Sequence, residues 1–126
     1  MNDNNLETPA VRKTVIFPKY LWEKVVSFNE SFMFSSDVAA ARFLLCFGLR
    51  TNPIKLAKRY PEQDERIYLN LSNEICEEVS NFRFGNRLHA EREAIFMLIE
   101  QGLENVQTAL KQFETSAQEE KIAVNE

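Results

Sequence analysis

Residues 66–104 read RIYLNLSNEICEEVSNFRFGNRLHAEREAIFMLIEQGLE. Ile67, Leu69 and Leu71 alternate with Arg66, Tyr68 and Asn70, the period-two pattern of a half-buried strand. Ser72 is a turn residue, and two amphipathic helical patterns follow, broken at Gly85-Asn86. One short strand feeding two helices cannot bury its own apolar face. It lacks a second strand for its ladder, and about 40 residues are too few for an independent core. The unit therefore needs a copy of itself.

The copy stands upstream in the same chain. A shift of fifty-four positions aligns the two segments without a gap. Arg12 falls on Arg66, Glu23 on Glu77, Val25 on Val79 and Phe28 on Phe82. Ala40 falls on Ala94, Leu44 on Leu98, and Gly48-Leu49 on Gly102-Leu103. Apolar character also agrees where identity does not: Val15 with Leu69, Phe17 with Leu71, Leu21 with Ile75, Leu45 with Ile99. A repeat of this period marks one supersecondary unit that buries its core against its neighbour.

The 126 residues suit one compact unit. The start, MNDNNLETPA, lacks the apolar core of a signal peptide. The longest apolar stretch, 38–49, contains Arg42 and is too short to span a bilayer, so no membrane partner is expected. Cys46 and Cys76 occupy non-equivalent repeat positions without metal-type spacing, which fits two reduced thiols in a cytoplasmic protein. The net charge of −4 is unevenly spread. Residues 11–60 hold nine Lys/Arg against three Asp/Glu, or +6, whereas 61–126 hold six against fourteen, or −8. The front half has the sign for a polyanion and the back half does not.

In chain order, residues 1–10 read as a disordered arm, 11–50 as the first repeat, 51–64 as a connector, 65–105 as the second repeat, and 106–126 as a helix extension with an acidic disordered tail. The first strand is expected over 12–17, where Lys13 opens an otherwise apolar face and fits only at a frayed end. Pro18 suits the first turn of a helix that runs to about Phe32 through Leu21, Val25 and Phe28. Ser35-Ser36-Asp37 is an N-cap signal for the next helix, with Gly48 near its end. Pro53 and Pro61 bracket a piece of the connector, IKLAKRY, that has a helical composition. Trp22 and the phenylalanines at helical spacing are assigned to the core. The row Val106, Leu110, Phe113 carries the last helix beyond Leu103.

Strand, helix, turn and helix, ending in AEREAIFMLIEQGLE, resemble the ribbon-helix-helix superfamily of Arc- and MetJ-type repressors. The best matches are Glu93-Ala94-Ile95, Leu98-Ile99 and Gly102-Leu103-Glu104. Phe17-Pro18 and Leu71-Ser72 match the passage from strand to first helix. The resemblance covers about residues 11–50 and 65–105. It implies a mostly α fold with one two-stranded antiparallel β-ribbon, built from two tandem ribbon-helix-helix repeats that form an intramolecular pseudo-dimer, as in TraY-like proteins of conjugative plasmids. It also implies double-stranded DNA as the partner, with the ribbon in the major groove, and a monomeric chain that could pair further on DNA.

Alternation puts Arg12, Thr14 and Ile16 of the first strand, and Arg66, Tyr68 and Asn70 of the second, on the solvent face. The resemblance makes the same six the base-reading positions. Arg suits guanine and Asn adenine, because each forms two parallel hydrogen bonds; Thr14 and Ile16 suit a thymine methyl. The plainer reading is a solvated sheet face, against which the apolar bulk of Ile16 and Tyr68 argues for a covering partner. The six differ between repeats, so the expected site is non-palindromic. The family's second feature, phosphate at the N-terminus of the second helix, falls on Ser35-Ser36 and His89-Ala90. Asp37 and Glu91 stand in the same first turns, where they oppose phosphate or simply complement the helix dipole. His89 serves there as a phosphate ligand or as a cap. The connector residues Lys55, Lys58 and Arg59 are either backbone contacts or a solvated surface.

One histidine without a Cys or carboxylate partner at ligand spacing gives no expected metal, and no cofactor is implied. No phosphate loop, nucleophile motif or His-Glu zinc pattern is present, so a non-enzyme is expected. The leading expectation is a sequence-specific DNA-binding transcriptional repressor or regulator. The alternatives are a DNA-site accessory protein of the relaxosome kind, and an antitoxin-like scaffold that binds a protein through the C-terminal helix.

Overall fold

The computed structural model describes residues 10–51, 60 and 65–125, with the backbone alone described for Ala10 and for 113–125. The order of elements is β1 (Ala10–Phe17), α1 (Lys19–Phe32), α2 (Asp37–Arg50), β2 (Glu65–Ser72), α3 (Asn73–Gly85) and α4 (Glu91–Asn125). The protein is therefore mostly helical with one two-stranded antiparallel sheet. β1 is rich in β-branched residues, as is common for a strand that is half covered. Ala10 pairs with Ser72, Thr14 with Tyr68 and Phe17 with Glu65. The strand thus begins earlier than the arm-strand boundary expected from sequence, because Ala10 still has a ladder partner. Residues 1–9 lie outside the described residues, as does nearly all of the connector, including Lys55, Lys58, Arg59 and most of the IKLAKRY piece.

Local signals set the helix ends. Pro18 is the N-cap of α1 rather than its first helical residue, and its carbonyl accepts from Leu21 and Trp22 N–H, both at 3.1 Å. Ser36 and Ser72 cap α2 and α3, each accepting from a backbone N–H three residues on, at 3.0 and 3.2 Å. α1 and α3 hand over to their successors through one left-handed residue each, Met33 (φ 57°) and Arg87 (φ 55°). The expected break at Gly85-Asn86 therefore turns on Arg87, and Gly85 stays helical. Among the described residues no single helix is long and apolar enough to cross a membrane.

The inner face of the ribbon, Val15, Phe17, Leu69 and Leu71, is buried under Leu44, Leu45, Leu98 and Ile99 of α2 and α4. Each fully buried side chain of this size contributes about 1.5–3 kcal/mol. α2 and α4 cross in close contact. A Cβ at Gly48 would strike the Leu98 carbonyl, and one at Gly102 the Leu44 carbonyl. Gly48 lies near the end of α2, as expected, and there it is a contact residue. Its carbonyl accepts from Gln101 Nε2 at 2.6 Å, while Asn105 Nδ2 donates to Thr51 Oγ1 at 3.0 Å beside it.

Three sequence expectations change. Lys13 does not fray: it is half-buried, and its ammonium lies 3.2 Å from a Glu91 carboxylate oxygen. The phenylalanines divide, with Phe17, Phe28 and Phe96 buried but Phe32, Phe43 and Phe84 exposed. Phe32 and Phe43 cover Phe28 from outside, at ring-centroid distances of 4.7 and 6.0 Å. Finally, the acidic tail is not a separate disordered segment, because α4 continues to Asn125. From 103 to 125 there is no Gly or Pro, and Glu, Gln, Lys and Ala are good helix formers.

Tyr60 anchors the connector. It is buried against Phe96 (centroids 5.2 Å) and donates its hydroxyl to Glu100 Oε1 at 2.5 Å. Burial first, and the Glu100 carboxylate second, push its ionisation well above the usual phenol value of 10.0. The unfolded phenol ionises near 10.0 and the folded one higher. This contribution is whole below the unfolded value and declines as pH rises beyond it, by up to about 1.4 kcal/mol per pH unit. Urea melts from pH 9 to 11 should show a steeper loss for the parent than for Tyr60→Phe.

The helix crossing gives a second prediction. Gly48→Ala and Gly102→Ala should each cost about 1–3 kcal/mol or more, because backbone, and not a movable side chain, must yield. Gly85→Ala, where nothing lies within 4 Å of the added Cβ, should be neutral or slightly stabilising in the same melts.

Candidate functional site

Among the described residues, no element covers the outer face of the ribbon. Arg12, Thr14, Arg66, Tyr68 and Asn70 are exposed and Ile16 is half-buried, while the alternate residues point into the core. The register sets Arg12 opposite Asn70, Thr14 opposite Tyr68, and Ile16 opposite Arg66. All six expected base-reading residues therefore share one surface, with Thr14 and Tyr68 at its centre. The Arg12 guanidinium carbon lies 4.3 Å from the centroid of the Tyr68 ring. Such a contact is worth about 0.5–1 kcal/mol at an exposed site and holds the guanidinium over the ribbon. Tyr68 is 45% exposed, unusual for a large ring beside a formed sheet.

Charge around this face is mixed. Arg12 and Arg66 are exposed, but Lys13 is engaged with Glu91. The Arg50–Glu78 pair, at 2.6 and 3.3 Å, ties the end of α2 to α3 on the surface. Hydrogen bonding to Glu78 raises the Arg50 ionisation further. The Cys46 thiol is also raised, chiefly by burial, which makes it a sluggish nucleophile at neutral pH.

The two helix N-termini assigned to phosphate differ. At α2, Ser35 and Ser36 are exposed; Ser36 caps the helix, and Asp37 is braced by Asn29 Nδ2 at 2.7 Å. At α4 the backbone N–H groups of His89 and Ala90 are already engaged. Glu93 Oε1 accepts from His89 N–H at 3.1 Å and Ala90 N–H at 3.3 Å. A phosphate there would have to displace a carboxylate held by the same chain. The His89 carbonyl accepts from Arg83 Nη2 at 2.7 Å, so the turn before α4 is fixed from behind. Sequence reasoning missed the role of Glu93, although a Glu three residues after a helix start is a known capping signal. It also missed Tyr60, whose aromatic character stood in a connector with no periodicity to place it.

Searches against protein-family models, curated proteins and solved structures give no match for this chain. The functional reading therefore rests on the geometry of the ribbon and the resemblance noted above. Among the described residues, no three His, Cys, Asp or Glu side chains gather as metal ligands.

Removal of the Glu93 carboxylate should separate its two effects. Glu93→Ala is expected to lower stability by about 0.5–2 kcal/mol in urea melts, as loss of a helix cap does. It should also increase the affinity of the α4 N-terminus for inorganic phosphate, followed by the amide shifts of His89 and Ala90.

Proposed function

We propose that the chain is a single-chain ribbon-helix-helix pseudo-dimer that binds double-stranded DNA in a sequence-specific way, as a transcriptional regulator. The observation that carries this reading is the ribbon face: six side chains of base-reading chemistry, set in one register, with none of the described residues over them. A two-stranded ribbon fits the width of the major groove, and there its outward side chains meet base edges.

Several contacts support the pseudo-two-fold part of the proposal. Thr14 and Tyr68 are fifty-four positions apart and face each other across the ribbon. Thr51 and Asn105 are also fifty-four apart, and they hydrogen-bond at the α2–α4 end. Two pairs of equivalent positions that meet themselves are what a two-fold axis between the repeats requires. The glycine contacts are reciprocal about it, Gly48 on Leu98 and Gly102 on Leu44, and the left-handed residues Met33 and Arg87 are equivalents as well.

The unlike halves of the ribbon favour an asymmetric DNA site. Among the described residues few cations flank it, so a shallow salt dependence is expected, with a slope near −0.9 per phosphate contacted. A role as an accessory protein that marks a DNA site uses the same face. A protein-binding role has one observation of its own: Leu110 of α4 is 41% exposed along the row begun by Val106.

Selection from random duplex DNA at low salt should enrich one asymmetric site. Arg66→Ala and Asn70→Ala should each relax preference by about 1–3 kcal/mol at one position of that site. If the double variant Arg12→Ala, Arg66→Ala bound the selected duplex with unchanged affinity, DNA reading by the ribbon would be wrong.

A further inference from the structure

The two halves of the molecule also differ in the grooves beside α4 and α2. On one side Tyr60 sits in a groove beside α4: its ring is against Phe96, its hydroxyl on Glu100, and Glu93 is near enough to raise its ionisation. A shift of fifty-four positions carries Glu93, Phe96 and Glu100 onto Ala39, Arg42 and Cys46 of α2. Those three line an open groove of ≈ 450 Å³, together with Phe43, Leu71 and Ile75. Its walls are largely apolar, so leaving it open exposes surface whose counterpart is covered.

We infer that this groove is the docking site of the chain's own N-terminal arm, with Leu6 as the side chain that fills it. The inference rests on the pseudo-two-fold relation proposed above. Leu6 stands fifty-four positions before Tyr60. Tyr60 lies five residues ahead of Glu65 in β2, and Leu6 lies five ahead of Val11, the equivalent position in β1. The arm also starts in the right place. Ala10 pairs with Ser72, and Ser72 belongs to the rim of the groove. Leu6 lies four positions before Ala10, a reach of about 13 Å when extended, enough to cross the rim. An apolar Leu matches the changed floor: where Tyr60 meets the carboxylate of Glu100, the incoming side chain meets the thiol of Cys46. Docking would cover that thiol and pin the end of the ladder beside Asn70.

Cys46 is the reporter. The full-length native chain is treated with N-ethylmaleimide at fixed pH, and labelling of Cys46 and Cys76 is resolved by peptide mass spectrometry. Leu6→Asp is expected to raise the Cys46 rate by about tenfold, the change in open population that losing a buried leucine implies, with the Cys76 rate unchanged. Leu6→Met should keep Cys46 slow. Equal Cys46 rates in the parent and in Leu6→Asp would overturn the inference. So would a parent rate that falls as protein concentration rises, since a second copy would then be the cover. The readout uses no DNA, so a failure here is separate from a failure of DNA binding.

Discussion

Among the described residues, neither strand has a partner within its own half of the chain. There β1 and β2 pair only with each other, and their inner residues form the floor on which α2 and α4 rest. A lone two-stranded ribbon is marginal in water, so the ladder persists because Val15, Phe17, Leu69 and Leu71 are covered by the two helices. The helices in turn can approach closely only because Gly48 and Gly102 present no side chain to the opposing carbonyls. Ladder, floor and crossing stand or fall together. This mutual dependence holds the outward face of the ribbon rigid.

That face is what the fold exposes at no cost to its core. Alternation along each strand assigns every second residue to solvent, and the burial of the others leaves little freedom to change register. The face is therefore chemically free while its geometry is fixed. The two strands have used that freedom differently, with Thr14 beside Tyr68 and Ile16 beside Arg66.

Much of this was legible in the sequence. Strand alternation, the cap signal at Ser36 and the helical spacing through Leu21, Val25 and Phe28 are short-range signals, and each reappears in place. What escaped depended on contacts between distant segments. Lys13 looked misplaced because its partner, Glu91, lies seventy-eight positions away. The place of Gly48 near the end of α2 follows from sequence, but its role in a close helix crossing does not, because nothing local announces one. Spacing assigns Phe32 to the core, yet it covers Phe28 from the solvent side, as Phe43 does. The carboxyl-terminal segment read as a tail because it is acidic, although it has no helix-breaking residue. At the candidate site, membership of the ribbon face followed from alternation alone. The engagement of His89 and Ala90 by Glu93 did not, because the position before α4 lacks the hydroxyl residue that completes a capping box.

The antiparallel ladder also imposes an order on biosynthesis. Val15 and Phe17 leave the ribosome long before Leu69 and Leu71 are made. At a translation rate of 5–20 residues per second, the interval between Phe17 and Ser72 is about 3–11 s. Throughout that time the nascent first half carries an apolar strand with no mate, so β1 is the segment on which a chaperone would act while the chain is still being made.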